Sequence, residues 1–324
     1  MTFPGSPAPP ADAPTAEEAY MSILIVGAGA TGGYFGGRLT QAGRDVTFLV
    51  TQRRAEVLSQ RGLRIVGPGG TEIITPRFIT PERLSAVADT IFIAVKAAAL
   101  EAVIKEIGPA VGPETMIVPI LNGMRHMGAL NQAFGSRRVL GGVAVLATQL
   151  DDNGDVRQLN DDVSLLIGTQ DRQRTPAAER TASELSGAGF PVAISDDILA
   201  AMWYKWAFIA AAGALTCLLR GAVGEIMAAG GDDVARAIIE ETNSIAGAAG
   251  YPIPDGQAQQ TTQILTAAGS PFTSSMYRDL QQGRPVEVET ILGDLIAEGR
   301  KANLHTPLLK AATVALRVYA TRLP

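Results

Sequence analysis

A single cysteine, Cys217, stands in 324 residues. No internal disulfide can form, and the composition fits a reducing, cytoplasmic compartment. Histidine is nearly as scarce. His126 and His305 lie far apart, with no cysteine or carboxylate at ligand spacing, so no metal is expected. Charge of neither sign dominates: 27 Lys and Arg face 32 Asp and Glu, a net charge of −5 with the signs interspersed, and nothing suggests a nucleic-acid surface. Long hydrophobic runs are also missing. The longest, Trp206–Leu219, is too short to span a bilayer, is bracketed by Lys205 and Arg220, and reads as a buried helix rather than a membrane segment. The first twenty residues are rich in Pro and Ala and lack both a basic start and an apolar core. They are expected to form a disordered extension (residues 1–20), not a signal peptide or a helix.

What is present begins with burial. Hydrophobic residues make up 47% of the chain, ample for a packed core, and the length suggests two domains. The most informative stretch is SILIVGAGATGGYFGG, 22–37. An apolar strand, Ile23-Leu24-Ile25-Val26, runs into Gly27-Ala28-Gly29-Ala30-Thr31-Gly32, and a helical pattern follows. This is the G-x-G-x-x-G fingerprint between strand and helix. Gly27 permits the tight turn, Gly29 the approach of a pyrophosphate, and Gly32 close packing of helix on strand. Phosphates would sit on free amides at the helix N-terminus.

Strand and helix then alternate. Asp45–Val50 returns as a second strand, and Gly62–Val66 with Glu72–Pro76 predict a hairpin about Gly67-Pro68-Gly69-Gly70. The runs 90–95 and 116–121 read as strands buried on both faces. Val139–Leu146 and Val163–Ile167 add further strands, and the alternation predicts a parallel, doubly wound α/β sheet of Rossmann type. From about Thr175 the pattern is helical: 177–188, 198–219, 232–250, 257–267, 288–302 and 308–321. The expected division is a dinucleotide-binding domain over 21–195 and an all-α domain over 196–324.

Ligands of open α/β sheets bind beyond the carboxyl ends of the strands, where Lys96, Asn122 and the loop 51–54 fall. The second strand ends Thr51-Gln52-Arg53-Arg54, with no acid for a ribose hydroxyl and two guanidiniums suited to a 2′-phosphate. NADP(H) is therefore the expected cofactor, with a solvated basic pair as the alternative. In the helical part Lys205 interrupts an apolar helix, where its ammonium either snorkels to water or faces a cleft. Desolvation would bring its pKa toward the range of a general acid. Glu287 and Glu289 cannot share one helix face, so one of the two is expected to point inward.

The chain resembles the ketopantoate reductases (2-dehydropantoate 2-reductases) from Met21 onward. The resemblance rests on five ordered matches: the glycine fingerprint 27–32, Val95-Lys96, Asn122-Gly123-Met124, Trp203 with Lys205, and Ser274-Ser275-Met276 through Asp279 to Val286-Glu287-Val288-Glu289. It implies a cleft between a Rossmann and a helical domain in which NADPH reduces a 2-oxo acid. It implies Lys205 as catalytic lysine, Glu287 as active-site glutamate, Asn122 and the serines 274–275 as polar groups on the substrate and nicotinamide side, and Lys96 beside the cofactor.

The chain also departs from the family. Its best-known members carry pocket asparagines where this sequence has Ile209, Gly213 and Val223, and a cofactor arginine where it has Thr51. The second role passes to Arg53 or Arg54. Arg220 offers a substitute anchor for the substrate carboxylate, unless it serves only as a cation at a helix C-terminus. The expected activity is reduction of ketopantoate to pantoate. The alternatives are reduction of a more apolar 2-oxo acid and NADPH sensing without turnover. The expected partner is a small 2-oxo acid, and a homodimer is left open.

Overall fold

The computed structural model describes residues 22–323, so the extension expected over 1–20 lies outside the described residues. The chain opens with β1 (Ile23–Val26), α1 (Ala30–Gln41), β2 (Val46–Leu49) and α2 (Gln52–Arg61). The hairpin β3 (Leu63–Gly67) and β4 (Gly70–Ile74) follows, then β5 (Arg77–Ile79), β6 (Ala88–Ile93), α3 (Leu100–Glu106), β7 (Val111–Pro119) and α4 (Arg125–Phe134). Five of these strands form a parallel sheet in the order β5-β2-β1-β6-β7. Chain order reverses between β1 and β6, which opens a crevice at their carboxyl ends.

The next segment departs from the expected alternation. It runs β8 (Gly141–Val145), β9 (Thr148–Leu150), β10 (Val156–Gln158), β11 (Ser164–Gly168), α5 (Pro176–Leu185) and β12 (Val192–Ile194). These strands do not lengthen the parallel sheet. They build two mixed sheets, β4-β3-β10-β9 and β12-β11-β8, in which β8 with β11 and β9 with β10 are antiparallel. Connection length accounts for the second of these pairs: five residues join β9 to β10, whereas a parallel crossover needs about a dozen.

Beyond Ile194 the chain is helical: α6 (Ile198–Leu219), α7 (Val223–Ala228), α8 (Asp232–Ala248), α9 (Asp255–Leu265), α10 (Ser275–Gln281), a π-helical turn (Glu289–Gly293) continuing into α11 (Asp294–Lys301), and α12 (Pro307–Ala320). At the start of α6 the Asp197 carboxylate accepts a hydrogen bond from the Ala200 amide at 3.2 Å. At its end Arg220 adopts a left-handed conformation, φ 59°, a common way to close a helix. By length and composition α6 could cross a membrane, but most of it is covered by the rest of the protein. Its small residues, Ala210 to Ala214, are buried, which lets α8, α10 and α12 approach closely.

The sheet side is held by aromatics. Phe35 of α1 is fully buried, edge-on to Phe190 at 4.8 Å and tilted against Phe92 of β6 at 5.6 Å between centroids. Such a side chain ties the glycine-bearing helix to the sheet. Phe35→Ala is expected to cost about 3–5 kcal/mol, read as a lowered urea midpoint with an unchanged slope.

Candidate active site

At the carboxyl end of β1 the backbone turns through Gly27 with φ +94°, and a Cβ there would stand 2.9 Å from Val95 and 3.1 Å from the Ala94 carbonyl. A Cβ on Gly32 would collide with the Gly27 carbonyl oxygen. A Cβ on Gly29, by contrast, would meet nothing within 4 Å. Gly29 caps α1 without a side-chain hydrogen bond, and no acidic residue sits in the first turn. The result is an open cradle of amides at the positive end of a helix, which fits a pyrophosphate. Ala28 packs into the core beneath it, while Ala30 and Thr31 sit half-buried at the rim.

Past β2, the Thr51 hydroxyl accepts from the Arg54 amide and starts α2. The two arginines then part. Arg54 is half-buried and donates through Nη1 to the Gly154 carbonyl at 2.8 Å, while burial holds its pKa below the usual value despite nearby Asp155. It ties α2 to the turn between β9 and β10, and its Nε and Nη2 have no partner among the described residues. Arg53, its neighbour in the first turn of α2, is exposed. Lys96 follows β6 and reaches Asp279 of α10 at 3.5 Å, so it bridges the two halves of the protein.

Across the crevice lies a small cavity lined by Leu121, Asn122, Gly123, Gly142, Val143, Met202, Lys205, Trp206 and Ile209. Lys205 carries its only ionisable side chain. Desolvation brings the ammonium from 10.5 down to about 8, while Glu287, at longer range, pulls it the other way. Glu287 is half-buried and its Oε2 accepts from Asn122 Nδ2 at 3.3 Å, which joins the end of the parallel sheet to the helical part. Glu289 points outward and is paired with Arg317, whose hydrogen bonds hold its carboxyl below the usual range. Beside Lys205, the Trp206 indole donates to the Ile291 carbonyl in the π-turn at 2.9 Å. That bond fixes the rotation of α6 at the lysine.

Two expected substrate residues lie apart from this cavity. Ser274 is 8% exposed and caps α10, its hydroxyl accepting from the Tyr277 amide at 3.0 Å and lying 2.8 Å from Thr216 Oγ1. Its hydrogen-bonding capacity is used inside the fold. Arg220 is fifteen residues along α6 from Lys205, about 22 Å at 1.5 Å per residue, and exposed, so it cannot hold the same small molecule. Ser275 does remain at the rim, on the α10 face that carries Asp279.

The asparagine positions also separate. Ile209 lines the cavity with Lys205. Gly213 has the terminal methyl of Met276 standing where its Cβ would be, and Val223 is fully buried. Sequence reasoning missed α4 and α10, and with them the contact of Arg125 with Asp294 that fastens α4 to α11. An ordered Asn-Gly pair after a strand was a usable sign of a helix start, but neither segment has the apolar period of a long helix.

Comparison with known proteins agrees with this architecture. The family model described as ketopantoate reductase PanE/ApbA matches residues 23–172, and its C-terminal counterpart matches 197–320. The chain is 33% identical over 300 residues to the uncharacterized oxidoreductase YkpB of Bacillus subtilis, covering 92% of this chain and 99% of that one. It is 30% identical over 280 residues to the 2-dehydropantoate 2-reductase of Archaeoglobus fulgidus, covering 86% and 91%. The crystal structure of 2-dehydropantoate 2-reductase from Geobacter metallireducens superposes with a TM-score of 0.83 at 28% identity, covering 92% and 99%. A ternary structure of D-mandelate dehydrogenase with NADH and anilino(oxo)acetate shares the fold, with a TM-score of 0.85 at 21% identity over 94% and 99%. With its glycine cradle and its cleft lysine, the chain belongs to the ketopantoate reductase PanE/ApbA family, NAD(P)H-dependent oxidoreductases that reduce 2-oxo acids.

Proposed function

We propose that this chain reduces 2-dehydropantoate to pantoate with NADPH, and that Lys205 is the acid. The observation that carries the reading is a lone ammonium, brought by burial to about 8, in a cavity past the carboxyl end of β7, the end of the parallel sheet that also carries the open glycine cradle. The cradle amides of 29–32 would hold the pyrophosphate, Arg53 the 2′-phosphate, and Asn122 with Lys96 the nicotinamide side. NADPH bound there supplies the hydride. Lys205 donates a hydrogen bond to the keto oxygen of the substrate, polarises the carbonyl, and passes a proton to that oxygen as negative charge develops on it. Glu287 keeps the ammonium charged and oriented, and Asn122 in turn orients Glu287. Ser275 is the polar group available for the substrate carboxylate.

One observation favours a second reading. Leu121, Val143, Met202, Trp206 and Ile209 surround Lys205 with apolar surface. A hydroxyl facing that wall would go unpaired, whereas a 2-oxo acid with a branched or aromatic tail would not.

Three measurements test these assignments. Lys205→Met should lower kcat by about 10²–10⁴-fold, leave NADPH affinity within a few-fold, and not reduce stability, because it removes a desolvated charge. In the wild type, reduction should fall as pH rises through about 8, where the ammonium is lost, and oxidation of the hydroxy acid should rise over the same range. Unchanged kcat in Lys205→Met would remove the lysine from the chemistry.

For the cofactor, Arg53→Ala should weaken NADPH binding by about 1.5–3 kcal/mol and leave NADH binding unaltered. Arg54→Ala should instead lower the melting temperature and spare NADPH affinity. The reverse pattern would exchange their roles.

For the substrate, kcat/KM across a panel of 2-oxo acids separates the two readings. Ketopantoate ahead of every apolar-tailed acid supports the first. An apolar-tailed acid ahead by about tenfold or more, the worth of one unpaired hydroxyl, supports the second.

A further inference from the structure

Glu287 has to act on Lys205 without touching it. Its Oε2 accepts from Asn122 Nδ2 at 3.3 Å, and among the described residues no ion pair joins it to the ammonium. The separation of the two groups is therefore set by the backbone that carries them. Trp206 follows Lys205 directly in α6, lines the same cavity and is 2% exposed. Its indole donates to the Ile291 carbonyl at 2.9 Å, and the Ile291 amide donates to the Glu287 carbonyl at 3.0 Å. Two hydrogen bonds thus close a path from the residue next to the acid to the backbone of the carboxylate. The sheet side bounds the same π-turn. Gly123, beside Asn122, has φ +77°, and a Cβ there would stand 2.8 Å from the Thr290 carbonyl oxygen. Trp206 lies outside the five matches that carry the family resemblance, so no role passes to it by position.

We propose that Trp206 is a positioning residue for the reaction: through Ile291 its indole N–H sets the separation of Glu287 from Lys205, and with it the pull of the carboxylate on the acid. The indole N–H is a donor only, and a buried carbonyl left without its donor is costly, so the bond resists rearrangement. An aromatic ring alone would fill the cavity wall; the N–H is what ties that wall to the π-turn. Removing it lets the turn relax, and the carboxylate with it. A receding negative charge favours the charged form of an amine less. The other ionisable groups packed around the pair are engaged or neutral. Arg125 pairs with Asp294 and Arg317 with Glu289. The His126 imidazole of α4 is pushed down to about 4, by burial first and by the Lys205 ammonium second.

The test places Trp206→Phe, which keeps a ring and removes the N–H, in two backgrounds, wild type and Glu287→Gln. The full chain is assayed with NADPH and ketopantoate for kcat and for kcat/KM against pH, and NADPH fluorescence titration reports that each variant is folded. In the wild-type background Trp206→Phe is expected to lower kcat by about tenfold and to move the alkaline limb down by about half a pH unit, with the KM for NADPH unchanged. In Glu287→Gln the limb already lies lower, and adding Trp206→Phe should move it no further, because the two groups act as a unit. A limb that stays in place or rises in Trp206→Phe, or that moves equally in both backgrounds, overturns the proposal and leaves the indole a packing group.

Where Trp206→Phe does not bind NADPH, or Glu287→Gln turns over too slowly to assay, NMR of the indole N–H decides. The chain has two tryptophans, and Trp203→Phe assigns their signals. The Trp206 signal should exchange slowly with solvent and change its shift in Glu287→Gln, and a shift indifferent to that substitution overturns the link. The inference rests on Lys205 being the acid. Retained turnover in Lys205→Met would defeat that assignment by itself, while the indole signal still reports whether Trp206 and Glu287 are joined.

Discussion

A positive charge taken out of water is the constraint on which this structure depends. α6 is apolar around its whole circumference and could be buried as a plain core helix, its run of alanines packed against α8, α10 and α12. Lys205 breaks that pattern one turn before the most tightly packed stretch. An ammonium in such a place is costly to hold charged, which is why it falls to about 8 rather than staying near 10.5. The surroundings offset only part of that cost. Glu287 favours the charged form but accepts its hydrogen bond from Asn122, so the attraction acts through space. A tight ion pair would have pushed the pKa back up and made a poorer acid. A lysine left wholly to burial would have been pushed lower still. The arrangement lies between, where proton donation near neutrality is possible.

That balance requires the two halves to stay in register, because Lys205 comes from one and Asn122 from the other. Their seam is polar at its edges and apolar at its centre. Lys96 meets Asp279, Arg284 meets Asp152 at 2.7 Å and the Leu150 carbonyl at 3.2 Å, and Arg125 meets Asp294. These pairs are partly exposed, and each contributes little to stability. Their effect is geometric. They hold the sheet side to the helical side, while Trp206 on Ile291 fixes the helix about its own axis. The widened π-turn that supplies this carbonyl follows Glu287 directly, as such turns often do beside functional groups.

The parts legible in the sequence were those with a strong local physical signature. The glycine fingerprint, the buried strands and the bounds of α6 all follow from backbone sterics or from the length of an apolar run. Lys205 was visible because a charge inside such a run is anomalous, and Glu287 because alternating glutamates cannot share a face. What the sequence did not reveal was pairing. Val139–Leu146 announces a strand but neither its direction nor its partner, β11, which begins eighteen residues beyond it and runs antiparallel to it. Ser274 and Ser275 are chemically identical in the sequence, and only the capping geometry of α10 takes one inward to Thr216 and leaves the other at the rim. Arg53 and Arg54 are separated in the same way, by the Gly154 carbonyl a hundred residues further on.

The substitutions around the lysine are best understood as one change in packing. At Gly213 there is no room for a side chain, because the Met276 methyl already fills the space a Cβ would take, and the loss of a polar group there is balanced by a flexible apolar one. Val223 is sealed in the core and faces no ligand at all. Only Ile209 presents its apolar surface to the cavity, one turn along α6 from Lys205 and on the same face. The pocket has therefore exchanged hydrogen-bonding groups for surface that prefers hydrocarbon at a single contact point, not along its whole wall. A site that lacks donors for a hydroxyl rejects it weakly, by the desolvation of one group, whereas a site built around that hydroxyl rejects its absence strongly. Discrimination at Ile209 is consequently lopsided. Its side chain matches an apolar tail and offers a hydroxyl no partner.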